Sequence, residues 1–199
     1  MARPRSATHE LKREEILGQA ARCFADKSYA AASMNDIAAA CGTSKARLYH
    51  YYGSKDALLF DLLDRYTLRL LVMIAETEAF AERGRLDDRA TLHALVTNFV
   101  IEYETSAYKH IALLNNTRFL ALDERERILN RERDVVAAFT RALKRAYPER
   151  MTRAHETALT MLLFGMINWT FTWLKPGGRL SYREFAEVVI TTLEKGFNA

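Results

Sequence analysis

Apolar residues recur at helical spacing along nearly the whole chain. Leu17, Ala20, Ala21 and Phe24 fall at i, i+3, i+4 and i+7, one stripe of a helix predicted over 9–27. Ser28-Tyr29 interrupts it. Met34, Ile37, Ala38 and Cys41 repeat the stripe over two turns behind Ser33, which with Asp36 has the form of a capping box with a shorter acid. Gly42 stops this second helix, because glycine tolerates the left-handed conformation at a helix end. Ser44 is then an N-cap for a third short helix over 45–52, and Gly53-Ser54 form the next stop and cap. Two short helices joined by a glycine-containing turn form the pattern of a helix-turn-helix.

After Ser54 the scale changes. A long helix is predicted to about residue 82, with Leu58, Leu59, Leu62, Leu63, Tyr66, Leu70 and Met73 on one side and Gly84 beyond its end. Further helices are predicted at 87–104, 106–121, 123–147, 153–174 and 181–197, the last three separated by Pro148 and by Lys175-Pro176-Gly177-Gly178. No period-two alternation long enough for a strand and no internal repeat occurs. The expected fold is all-α: an N-terminal three-helix helix-turn-helix domain with a basic arm in 1–53, followed by a larger helical domain in 54–199.

Composition adds little to this picture, and the position of charge adds more. Of the net charge of +4, residues 1–56 hold +3 (nine Lys/Arg against six Asp/Glu). The excess permits a nucleic-acid partner without requiring one. With 49% apolar residues, the chain can bury a core. Cys23 and Cys41 sit in apolar helical patterns and read as core residues, since two cysteines give no zinc framework. The start, Met-Ala-Arg-Pro-Arg-Ser, lacks the apolar stretch of a signal peptide, and the longest apolar run, Ala158 to Leu174, is short for a membrane span and contains Asn168. A cytoplasmic protein with no membrane partner is expected.

The segment Asp36-Ile37-Ala38, then Gly42-Thr43-Ser44-Lys45-Ala46-Arg47-Leu48-Tyr49-His50-Tyr51-Tyr52-Gly53-Ser54-Lys55-Asp56-Ala57-Leu58-Leu59, resembles the DNA-binding signature of the TetR family. The resemblance runs from Arg13 to Leu59, about a quarter of the chain. It implies a homodimer that holds operator DNA through this segment and releases it when a small molecule enters the C-terminal domain. The residue types suit that role. Arg47 can form a bidentate contact with guanine, and Lys45 can reach a base or a phosphate. Ser33, Thr43, Ser44, Tyr49, His50 and Lys55 can bond phosphates. Leu48 and Tyr52 are expected in the core, and Tyr51 suits core and phosphate equally. Arg3 and Arg5 read either as a minor-groove arm or as a plain tail. Two positions depart from the family pattern. Ser28 replaces the usual glycine before the aromatic, which bears on the turn geometry, and Ala32 replaces a frequent threonine, which removes one phosphate contact.

The rest of the chain must then dimerise and sense. Two recognition helices about 34–36 Å apart need a two-fold dimer. The resemblance implies a four-helix bundle from the last two helices of each subunit, where Phe185, Val188, Val189, Thr192, Leu193 and Gly196 form a stripe and Gly165 allows close approach. A pocket needs apolar walls and a few placed polar groups. Tyr103, Phe119, Trp169 and Trp173 are candidate walls, with Phe99, Phe164 and Phe171, and His110, Asn115, Asn116, Arg118 and Asn168 are candidate polar groups; each also reads as ordinary core. The segments 110–116 and 161–176 resemble those of TetR-type regulators of acyl-CoA catabolism, including fatty-acid and phenylacetate degradation. That implies a CoA-thioester effector, with Lys109, Arg118 and Arg125 as cations for its phosphates; a free aromatic or fatty acid, or another lipophilic molecule, is the alternative.

No Gly-rich phosphate loop, nucleophile elbow, His-Glu-x-x-His or Cys-x-x-Cys occurs, and the five histidines have no metal-ligand spacing. Neither enzyme activity, cofactor nor metal is expected. The acidic pairs Asp87-Asp88 and Asp123-Glu124 read as helix starts. The alternative to a repressor is a helical adaptor for another protein, which leaves the Lys- and Arg-bearing helix after the glycine turn unexplained.

Overall fold

The computed structural model describes residues 7–198. Among them it has eight α-helices, two 3-10 turns and no strand: α1 (Ala7–Ala31), α2 (Met34–Ala40), α3 (Lys45–Tyr49), α4 (Lys55–Gly84), α5 (Asp88–Asn116), a 3-10 turn (Thr117–Phe119), α6 (Leu122–Ala146), α7 (Glu156–Asn168), a second 3-10 turn (Trp169–Thr172) and α8 (Tyr182–Asn198). No helix among the described residues is long and apolar enough to cross a membrane.

The described residues group into two compact units, one of 7–66 with 108–128 and one of 67–107 with 129–198. In the first, the predicted stripes meet. Leu17, Ala20, Ala21 and Phe24 of α1, Met34, Ile37 and Ala38 of α2, Leu48 of α3 and Leu58, Leu59, Leu62 and Leu63 of α4 are all buried. Cys41 is buried and Cys23 partly so, and burial pushes both thiols above their ordinary range, as expected of core residues. In the second unit, Phe99, Phe139 and Phe164 pack edge to face at 5.0, 5.2 and 5.9 Å between centroids.

α1 is interrupted at Ser28, whose φ of 67° and ψ of 157° lie in a region almost reserved for glycine. Gly42, at φ 58°, makes the turn after α2 that its residue type predicts.

Two of the longer predicted helices differ from the sequence expectation. The predicted break between 104 and 106 is absent, because α5 runs unbroken through it. The polar residues there serve the helix: Thr105 Oγ1 donates to Glu102 O at 3.4 Å and Ser106 Oγ to Glu102 Oε1 at 2.9 Å. The helix predicted over 153–174 starts at Glu156, ends at Asn168 and tightens into a 3-10 turn, in which Thr170 Oγ1 donates to Ile167 O at 2.8 Å and Thr172 Oγ1 to Trp169 O at 2.7 Å.

Candidate functional site

The short helix α3 is built by its cap and one anchor. Ser44 Oγ accepts the Arg47 N–H at 3.2 Å. Leu48 is fully buried at 0% exposure and fixes which face turns inward. Lys45, Arg47 and His50 are therefore exposed, and Tyr49 is 43% exposed. The Lys45 ammonium lies 5.9 Å from the Tyr49 ring centroid. Thr43 is half-buried in the turn before the helix. Ser33 completes the expected capping box: its Oγ accepts the Asp36 N–H at 3.2 Å, and its own N–H donates to Asp36 Oδ2 at 2.8 Å. Lys27 bonds the same carboxylate at 2.6 Å. That ion pair, together with the bonds from Ser33, holds Asp36 well below the usual carboxylate range.

The helix after Tyr49 is shorter than predicted, and Tyr51 and Tyr52 follow in a turn. Tyr52 is buried, as expected, and its hydroxyl donates to Asp61 Oδ2 at 2.6 Å while accepting from Arg13 Nε at 3.1 Å. Arg13 pairs with Asp61 at 2.8 Å, and Arg65 extends the network to Asp61, Glu14 and Glu10. Tyr51 stacks on His9 at 4.7 Å. These contacts tie the chain after α3 to α1 and α4. Sequence reasoning missed the network because its partners are up to 55 residues apart.

Lys55 is placed differently from the other cations. Its ammonium donates to Tyr29 O at 2.7 Å and Ala32 O at 2.8 Å. Arg3 and Arg5 lie outside the described residues.

The candidate effector residues fall into two groups. In one unit, Tyr103 is buried and its hydroxyl donates to Asn168 Oδ1 at 2.7 Å. In the same unit Trp169 is 64% exposed and Trp173 also faces outward; both line a shallow apolar surface with Met161, Leu162 and Val188. In the other unit, His110 is buried with Nδ1 3.3 Å from the Tyr66 hydroxyl, and burial pulls its pKa down to about 4. Asn116 is 3% exposed, and its Nδ2 makes no hydrogen bond within the described residues. Asn115 and Arg118 are exposed. The Arg118 guanidinium covers the Phe119 ring at 4.9 Å, and that ring meets Tyr29 at 4.9 Å.

Comparison with known proteins agrees with this arrangement. Residues 16–62 match the family model of bacterial regulatory proteins of the tetR family, and residues 85–197 match that of the tetracyclin repressor-like C-terminal domain. The chain belongs to the TetR family. A TetR-family transcriptional regulator from Bordetella parapertussis is 34% identical, with a TM-score of 0.83 over 91% of this chain and 93% of that one. The HTH-type transcriptional repressor KstR2 of Rhodococcus jostii is 34% identical over 57% of this chain and 57% of its own length. The chain thus spans little more than half the length of that curated relative. AibR, in a crystal structure with isovaleryl coenzyme A and operator DNA, is 26% identical with a TM-score of 0.70, over 91% of this chain and 97% of that one. As in other TetR-family proteins, the helix-turn-helix precedes a larger helical C-terminal part.

Proposed function

We propose that this protein is a ligand-responsive, DNA-binding transcriptional repressor that acts as a homodimer in the cytoplasm. The observation that carries the reading is α3. It is a capped helix anchored by one buried leucine, with Lys45, Arg47, Tyr49 and His50 all turned outward. Such a helix presents long donors to base edges and aromatic hydroxyls and imidazole to phosphates. Arg47 and Lys45 read bases, while Ser33, Thr43, Ser44, Tyr49 and His50 hold the backbone. Residues 1–53 form the DNA-binding domain and 54–199 the effector and dimerisation domain.

The effector is a lipophilic molecule with a polar acceptor, and a CoA thioester fits best. Two observations support this. The buried Asn116 amide has a donor to give, and buried donors are rarely left unpaired. AibR, of similar fold, is known with isovaleryl coenzyme A and operator DNA. Binding shifts the protein from the operator-competent arrangement only if the second arrangement holds the effector more tightly. Dimerisation uses the outward apolar face of α7 and α8.

The test is a gel shift with the DNA flanking the protein's own gene. Wild type retards that DNA at low salt, where counterion release favours binding most. Arg47→Ala weakens the complex by about 1–3 kcal/mol and relaxes the sequence preference. An Arg47→Ala protein that discriminates operator from random DNA like wild type refutes the base-reading role. Isovaleryl-CoA, longer acyl-CoAs and their free acids are then added in turn, and release by the free acids alone rejects the thioester.

A further inference from the structure

We propose that Lys55 is a positioning residue for the DNA-reading helices and does not bind the DNA backbone; the inference rests on the DNA-binding reading above. An ammonium has three protons and no acceptor. Lys55 gives one to Tyr29 O at 2.7 Å and one to Ala32 O at 2.8 Å, and the charge lies 4.3 Å from the Tyr29 ring centroid, within cation–π range. Two of its three donors are used inside the protein, and the charge is held against the ring.

The seat has a physical reason. The last carbonyls of a helix have no donor within the helix, and a cation at that end is favoured by the dipole. Tyr29 lies in the last turn of α1, after the interruption at Ser28, and Ala32 lies just past the helix end; both residues are buried. Carbonyls there, stripped of Lys55, have little access to water in its place. The next residue of α4 grips the same tyrosine from its other end, because the Tyr29 hydroxyl donates to Asp56 Oδ1. Phe24 and Phe119 close on the ring at 5.2 and 4.9 Å. The first turn of α4 therefore clamps a strained corner, and Ser33, the cap of α2, is the residue that follows it. Whatever moves this corner moves α2, and through the Gly42 turn it moves α3. The two buried carbonyls and the ring hold the ammonium in this seat, and only one N–H is left for any outside group.

The experiment uses the full-length protein. Lys55→Met keeps the aliphatic stem and removes the charge. Operator affinity is measured across a salt series, and the thermal midpoint is measured without DNA. Positioning predicts operator binding about tenfold weaker, an unchanged slope of log affinity against log salt, and a lower midpoint in the free protein. A phosphate ligand predicts a slope smaller by about 0.9 and an unchanged midpoint. Either of those last two results overturns the proposal. If Lys55→Met does not fold, Lys55→Arg decides. A guanidinium replaces an ammonium at a phosphate without loss, whereas a seat between two carbonyls and a ring is shaped for a compact head; operator affinity within about twofold of wild type then overturns the proposal. Should wild type bind no DNA at low salt, the DNA-binding reading falls, and the midpoint of the free protein still decides what Lys55 does.

Discussion

At the scale of the residue, Ser28 and His110 carry costs that can be measured. Ser28 adopts φ 67° and ψ 157°, where a side chain costs about 1–3 kcal/mol and glycine costs little. Ser28→Gly returns part of its gain through the greater freedom of the unfolded chain, leaving a net stabilisation of about 1 kcal/mol. Thermal melts should show a midpoint higher by about 2–4 °C, and a lower midpoint would mean that the serine is not strained. His110 works the other way. Burial lowers its pKa from 6.5 to about 4, so between those values the unfolded chain binds a proton that the folded chain refuses. Its contribution to stability is complete above pH 6.5 and is lost as pH falls toward 4. The loss amounts to at most about 3 kcal/mol. Urea denaturation of wild type and His110→Asn at several pH values isolates it: the stability difference between the two should change by about 2 kcal/mol from pH 7 to pH 4.5, most of that maximum. A constant difference would remove the buried, neutral histidine from the account.

At the scale of the element, the starts of the short helices and the bounds of α4, α6 and α8 were legible in the sequence, while the end of α3 and the bounds of α5 and α7 were not. α2 and α3 are framed by Ser33, Gly42 and Ser44, each of which acts through its own backbone neighbourhood, so local sequence suffices. The predicted break at 104–106 falls on Thr105 and Ser106, whose hydroxyls can compete for backbone groups. Here those hydroxyls bond within α5, and the helix continues. The same chemistry acts in reverse at Thr170 and Thr172, where hydroxyl bonds to carbonyls three residues back accompany a 3-10 turn at the end of α7. Propensity alone does not say which of the two outcomes a threonine will take.

At the scale of the whole molecule, the apolar surface made by α7, its 3-10 turn and α8 carries the oligomer prediction. Leu162 and Trp169 of that surface are each 64% exposed. An apolar patch of this kind marks an interaction site. Leu162→Glu changes a mostly exposed side chain, so the monomer should keep its fold while sedimentation velocity reports loss of the dimer. Operator affinity should fall with it, because one short helix reads too few base pairs. A Leu162→Glu protein that remains dimeric would place the interface elsewhere. Both tryptophans of the chain lie on this surface, so their emission should shift to the red as the dimer dissociates.

The sequence by itself determined the all-α class, the helix-turn-helix frame, the outward set Lys45, Arg47, Tyr49 and His50, and the family likeness. All of these follow from spacing and caps within a few residues. It also marked Ser28 as the place where a glycine is usual, and the backbone there is strained. Only the tertiary structure decided how side chains far apart in the chain are spent. It gave the Lys55 ammonium to the carbonyls of Tyr29 and Ala32, bound Tyr52 to Arg13 and Asp61, turned Trp169 and Trp173 outward, and buried Asn116 with an amide proton to offer. The physical reason is range. Capping and periodicity act over one or two turns, whereas a hydrogen bond from residue 55 to residue 29 exists only once the helices between them have packed.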